Sequence, residues 1–433
     1  MNLTEDQILS LAPDDGSKKS GRDLANPAKW VTKGTNEQAL WGECKGSGSK
    51  PYQTTIDLLN IAFKCSCPSR KFPCKHGIAL GLLYARNGKS FAAAEAPAWV
   101  MDWISKRVQK EEKKDDKKDK GVDEVAQAKR QQAREQKVND GIEELLTWIK
   151  DIVRNGIINM PDKGYAYWNG IAKRLIDAQA PGLAGMIKNL ADISFFKEGW
   201  QSDFIDALLS IYLVAKAYQN KENLSPLVMQ EVRNGIGFTQ KTDDVKDLEG
   251  IKDNWLVVGK QTTVDDTITV ERNWLYGINT NQYALVLQFL VRGEGASLLL
   301  SPGMHLDAEL VYFPSITPLR ALVKQQTGAI PTAPQQLFSS WKEVSEKETE
   351  ICSKYPVLTE RPFGIRGVTP VTLYNSWWLK DRESNMVPIK ESFAGIWKLL
   401  ALSGGEPLDM VVVGRERRFE PIGVWDHKTY KAI

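Results

Sequence analysis

Three cysteines and one histidine fall within twelve residues, as Cys65-Ser-Cys67, a six-residue spacer, and Cys74-Lys-His76. The whole 433-residue chain has five cysteines and three histidines, so this concentration constrains the local fold more than any other feature. Three thiolates and one imidazole complete a tetrahedral zinc set. A complete set leaves no position open for water or substrate. The expectation is one structural Zn2+ held by Cys65, Cys67, Cys74 and His76. A disulfide would leave one of the three thiols over. The first residues, Met1-Asn-Leu-Thr-Glu-Asp-Gln-Ile-Leu-Ser-Leu11, lack the basic start and long apolar run of a secretory signal. A reducing, cytoplasmic location is therefore expected, where zinc is favoured over a disulfide.

The spacing also dictates local structure. Residues i and i+2 of a strand point to one face, so Cys65 and Cys67 can offer both sulfurs to one metal from a strand end. The preceding run from Tyr52 to Phe63 suits a strand or hairpin arm. Cys74 and His76 are also two apart, but they precede the apolar run Ile78-Ala-Leu-Gly-Leu-Leu-Tyr84, which reads as a helix. Two positions i and i+2 on a helix lie on nearly opposite sides. Cys74 must then precede the helix, with His76 in its first turn. Pro68 and Pro73 bracket the connecting knuckle and restrict its backbone. Cys44 and Cys352 stand apart and read as packing cysteines.

The pattern Cys-x-Cys, spacer, Cys-x-His resembles the SWIM zinc finger. The likeness extends to Trp41-Gly-Glu-Cys-Lys-Gly-Ser-Gly-Ser-Lys-Pro-Tyr52 and to Asp177-Ala-Gln-Ala-Pro-Gly-Leu-Ala184. It reaches, less specifically, the segment from Leu399-Leu-Ala-Leu-Ser-Gly-Gly405 to Pro421. Together these are similar to bacterial SWIM zinc finger family proteins. The resemblance implies zinc binding and contacts with protein or nucleic acid; it implies no reaction. Such proteins are often encoded beside a MoxR-type AAA+ ATPase and a von Willebrand A domain protein. The resemblance thus implies an adaptor or substrate-recognition role in such a system.

The charge pattern leaves two partner classes open. The net charge of +3 is small for this length, whereas a dedicated nucleic-acid binder shows a stronger excess or a sharp basic patch. The first 90 residues nevertheless carry thirteen Lys or Arg against eight Asp or Glu. Lys64, Arg70, Lys71 and Lys75 flank the metal ligands. They could touch phosphates. They equally compensate the net negative charge of three thiolates on one zinc. Tyr52 and Phe72 could stack on bases or cap the small core. Arg70, Lys71 and Phe72 are the candidate partner contact, because exposed Arg and aromatic residues anchor interfaces.

Beyond the finger, composition divides the chain. Residues 106–137 form the most polar tract, with too few apolar residues to bury a face, and read as a disordered linker or a solvated helix. From Asn139 the period turns helical. Ile142, Leu145, Leu146, Ile149, Ile152 and Val153 make one stripe, and further stripes run through Trp168–Ile176, Leu183–Leu190 and Phe204–Val214, punctuated by Pro161, Pro181 and Pro226. From about Asn254, β-rich runs dominate at 254–259, 267–276, 282–291, 305–312, 371–379, 410–415 and 419–425, with a helix expected over 336–353. The fold class is an α+β multidomain chain: a small N-terminal ββα-type zinc finger over 1–90, the charged segment 91–138, a central helical bundle over 139–245, and a C-terminal β-rich domain with helical insertions over 246–433.

Catalytic constellations do not emerge. His305 and His427 have no ligand neighbours at useful spacing, and no HExxH or GxSxG run occurs. Gly88-Lys89-Ser90 resembles the end of a phosphate-binding loop, but Leu83 stands where its opening glycine is required. No stretch of 18 apolar residues suggests a membrane span. The expectation is a non-enzymatic, zinc-binding adaptor or scaffold that contacts other proteins. The alternative is a DNA-associated protein that uses the finger.

Overall fold

The computed structural model describes residues 4–433 except 14, 47, 49, 59–61, 70, 72, 117–123, 266–267, 292–297, 299, 329–335, 358, 416–417 and 427–428. The N-terminal unit begins with helices α1 (Glu5–Ser10) and α2 (Asp15–Leu24). Strands β1 (Trp30–Thr35), β2 (Ala39–Cys44), β3 (Tyr52–Asp57) and β4 (Ala62–Cys65) follow, then helix α3 (Lys75–Asn87) and the short strand β5 (Ala92–Ala93). The sheet order is β4-β3-β2-β1-β5. The run from Tyr52 to Phe63 is thus two hairpin arms, with Thr54 opposite Cys65 and Ile56 opposite Phe63. Ile78, Leu80 and Leu82 of α3 are fully buried in one cluster with Ile8, Leu40 and Ile56. That packing presses the helix onto the sheet and fixes its first turn beside the end of β4.

Two long helices lead onward, α4 (Ala98–Asp116) and α5 (Glu124–Asn155). The first packs back on the N-terminal sheet. Val100 is buried with Ala39 and Trp41, and Arg107 pairs with Asp57 at 3.5 Å. Much of the charged segment is therefore helix.

The helical unit comprises the C-terminal part of α5 with α6 (Tyr165–Asp177), α7 (Pro181–Ala191), α8 (Trp200–Gln219) and α9 (Pro226–Ile236). Pro181 and Pro226 occupy first-turn positions, where a missing N–H costs nothing. The apolar stripes of the sequence meet in one core that includes Ile142, Ile149, Trp168, Leu183, Phe204 and Ile211. Three stripe members face solvent instead: Val153 and Ile176, one or two residues from the ends of their helices, and Leu209 on α8. The unit also reaches back before Asn139. Glu135 accepts hydrogen bonds from Tyr218 Oη, from Lys221 Nζ at 3.0 Å and from an Arg233 guanidinium nitrogen at 2.5 Å. Phe238 is covered by the guanidinium groups of Arg134 and Arg233, 4.2 and 3.9 Å from its ring centre.

The β-rich part resolves into two layers. After the short helix α10 (Thr242–Lys246), strands β6 (Ile251–Asp265), β7 (Ile268–Gly277), β8 (Tyr283–Val291), β9 (His305–Tyr312) and β10 (Arg320–Gly328) close a barrel in the order β10-β8-β7-β6-β9. Helix α11 (Trp341–Lys354) precedes a six-stranded sheet. That sheet contains β11 (Arg361–Leu373), β12 (Ser376–Lys380), β13 (Met386–Pro388), β14 (Leu408–Arg415), β15 (Arg418–Asp426) and β16 (Thr429–Ala432), with α12 (Ile396–Ser403) between β13 and β14. Trp255 and Val257 belong to one buried cluster and the alternating Leu256 and Val258 to another, the latter shared with Val411, Val413 and Ile422 of the sheet. A strand buried on both faces reads as a continuous apolar run, which explains Trp-Leu-Val-Val at 255–258. The sheet's other face packs on α11 and α12 through Trp341, Val344 and Leu399. Residues 371–379 are not one strand. Tyr374 and Asn375 take φ of 48° and 60°, and this left-handed pair makes the tight turn of the β11–β12 hairpin.

Candidate metal centre

The four expected ligands converge. The sulfurs of Cys65, Cys67 and Cys74 and one ring nitrogen of His76 all lie within 4.8 Å of one another. His76 presents Nδ1, which is 3.7 Å from Cys65 Sγ and 3.9 Å from Cys74 Sγ. A zinc with Zn–S of about 2.3 Å and Zn–N of about 2.0 Å at tetrahedral angles sets neighbouring ligand atoms about 3.5–3.8 Å apart. The two His76 edges lie close to that spacing.

Each ligand is placed by a local cause. Cys65 ends β4. Ser66 extends the pairing by one residue, since its N–H donates to Gln53 O and its Oγ accepts from Gln53 N–H, both at 2.9 Å. That pairing aims the flanking sulfurs of Cys65 and Cys67 the same way. Cys74 is the extended N-cap residue of α3, with ψ of 167°. His76 stands in the first turn, 4% exposed, its ring 5.0 Å from that of Tyr52. Tyr52 therefore caps the site. Thr54, fully buried, brings Oγ1 to 3.3 Å from Cys65 Sγ. Sequence reasoning missed Thr54, because nothing in a lone strand threonine marks it until the register sets it opposite Cys65.

The electrostatics call for a cation. The hydrogen bond with Cys65 pulls the Cys74 thiol down to about 4 against the opposing effect of burial, with His76 and the Gly77 N–H adding to the pull. The partner bond to Cys74 and then burial hold Cys65 far above the thiol range. Burial also raises Cys67. Without metal, burial and the neighbouring sulfurs therefore oppose ionisation of Cys65 and Cys67, while Cys74 ionises more readily. A divalent cation is what allows all three sulfurs to ionise together. Backbone N–H groups of Cys67, Ser69 and Gly77 favour the thiolates of Cys65, Cys67 and Cys74 respectively.

The remaining sequence-level candidates sort as follows. Lys71 is exposed beside the site, as are Lys64 and Lys75, while Arg70 and Phe72 lie outside the described residues. Cys44 is buried, and burial raises its pKa. His305 is half-buried, its Nδ1 3.1 Å from Asn254 Oδ1. His427 lies outside the described residues.

Two family models match the chain: the SWIM zinc finger over residues 64–84 and the SWIM-associated four-helix bundle domain over residues 133–236. With the ligand geometry, they make this a SWIM-domain protein with one structural zinc ion on Cys65, Cys67, Cys74 and His76. The second match begins in α5 just before Glu135, the residue that ties that helix to α8 and α9. No curated protein and no solved structure matches the chain. Among the described residues, no helix is long and apolar enough to cross a membrane.

Proposed function

We propose that this chain is a non-enzymatic adaptor whose zinc-stabilised finger and helical unit hold protein partners. The observation that carries the reading is the saturated ligand set: four protein donors within 4.8 Å of one another leave no coordination position for chemistry. Zinc then serves to tie the end of β4 to the start of α3 and so to fold the N-terminal unit. Two helices, α4 and α5, set the finger apart from the bundle along the chain. On α8 the exposed Ile205, Leu209 and Leu213 repeat every four residues, an apolar helix stripe of the kind protein partners cover. An AAA+ ATPase of the MoxR type and a von Willebrand A domain protein are the partners the adaptor role would serve. The experiment is affinity capture with the tagged native protein, comparing wild type with Arg70→Ala, Lys71→Ala and Phe72→Ala combined. Loss of a defined protein partner supports the finger as a docking face, and equal recovery from both removes that face from the account.

A second reading rests on exposed Lys64, Lys71 and Lys75 around the metal ligands: the finger contacts nucleic acid. Phosphate contacts make affinity fall steeply with salt. A DNA titration across salt concentrations therefore separates the two readings, and recovery of nucleic acid alone would favour the second.

A further inference from the structure

A pocket of about 190 Å³ lies where α9 of the helical unit meets the barrel and the end of α11. Three guanidinium groups line it: Arg272 from β7, Arg320 at the start of β10 and Arg361 at the start of β11. These residues are far apart in sequence, and the packing of the barrel on the six-stranded sheet gathers them.

Their partners are few. Arg272 Nε is buried without a hydrogen-bond partner. Arg361 donates to Thr317 O at 2.6 Å. Arg320 lies over the Phe313 ring, 4.1 Å from its centre. Among the described residues none of the three forms an ion pair. Burial disfavours the charge of Arg361, and local desolvation acts the same way on Arg320 although that residue is exposed overall. Two carboxylates also line the pocket. Glu360 is neutralised by Lys390, and Glu231 accepts a hydrogen bond from Ser315 Oγ. Three guanidinium charges thus face one carboxylate without a countercharge, a local excess that a dianion would cancel.

We propose that this pocket is a binding site for a phosphate group. Guanidinium forks match phosphate oxygens in shape and charge, and the desolvation cost already carried by these arginines would be offset when the anion enters. The volume suits one phosphate and is smaller than the roughly 300 Å³ at which whole organic ligands are usually housed. A second cleft of about 570 Å³ adjoins it, sharing Thr317, Leu319, Ile351 and Arg361 and walled by Tyr283, Phe338 and Phe363. The phosphate can therefore come from free inorganic phosphate or from a phosphoryl group whose organic body lies in that cleft.

The test is isothermal titration of the full chain with inorganic phosphate and with phenyl phosphate, at ionic strength fixed with chloride. One site is expected. Arg272→Met and Arg320→Met should each weaken binding about tenfold or more, the loss expected for one charge-assisted hydrogen bond. Glu231→Gln should strengthen it by removing the opposing charge. Tighter binding of phenyl phosphate assigns the organic body to the cleft, and equal affinity assigns free phosphate. Circular dichroism checks folding of each variant. Arg320 is exposed, so its variant decides the matter should Arg272→Met fail to fold. No binding of either probe, or unchanged binding in Arg320→Met, overturns the proposal.

Discussion

Glu135 offers a worked test of how the helical unit is held. It sits in a run of charged residues, yet its side chain is 20% exposed and salt-bridged to Lys221 and Arg233. Burial alone would raise its pKa. The hydrogen bonds from Tyr218, Arg233 and Lys221 outweigh burial and bring it from 4.5 to about 2. A drop of that size corresponds to about 3 kcal/mol of differential stabilisation of the charged form. Partial solvent screening reduces this to about 2 kcal/mol. Glu135→Gln keeps the shape but leaves two half-buried cations facing a neutral amide. The variant should lose about 2 kcal/mol at pH 7, roughly thirtyfold in the unfolding equilibrium. Because the folded-state pKa is depressed, the carboxylate's contribution is complete above the unfolded value of 4.5 and is lost as pH falls towards 2. Urea unfolding followed by circular dichroism, repeated from pH 7 to pH 3, should show the gap between wild type and variant closing below pH 4.5. A deficit of the same size at pH 3 as at pH 7 would refute the charge argument, and no deficit at pH 7 would refute the network's role.

Two further substitutions probe packing and the metal site. Gly182→Ala should destabilise the helical unit by about 3 kcal/mol in the same unfolding assay, because the added Cβ would lie 2.1 Å from the carbonyl oxygen of Gly235 and force α7 away from α9; a wild-type midpoint would show that the two helices do not approach that closely. Thr54→Val removes the hydroxyl beside Cys65 Sγ and should weaken zinc binding about tenfold in a chelator competition, whereas unchanged affinity would reduce Thr54 to a packing residue.

What the sequence made legible was what depends on short spacing. The ligand set, its split between a strand end and a helix start, and the placement of His76 in the first turn of α3 all follow from i, i+2 geometry. The helical stripes around Ile142, Trp168, Leu183 and Phe204 were equally plain, since a buried helix face repeats every three to four residues. What depends on distant pairing stayed hidden. The division of the β-rich part into barrel and sheet could not be read, because strands buried on both faces, such as 255–258, show no alternation to tell one layer from the other. The β11–β12 turn at Tyr374-Asn375 was missed because the first of these is not a usual turn residue. Glu135 was concealed by its charged neighbours, and the cluster of Arg272, Arg320 and Arg361 exists only once the barrel and the sheet pack together.

The central claim is that Cys65, Cys67, Cys74 and His76 hold one zinc whose binding folds the N-terminal unit. The most direct measurement is elemental analysis of the purified protein together with its Cys67→Ser variant, each paired with hydrogen exchange over residues 4–93. The account predicts one zinc per wild-type chain, with protected amides in β3, β4 and α3. It predicts loss of both metal and protection in the variant, while the helical unit stays protected. A wild type without metal whose N-terminal amides are nonetheless protected would contradict it.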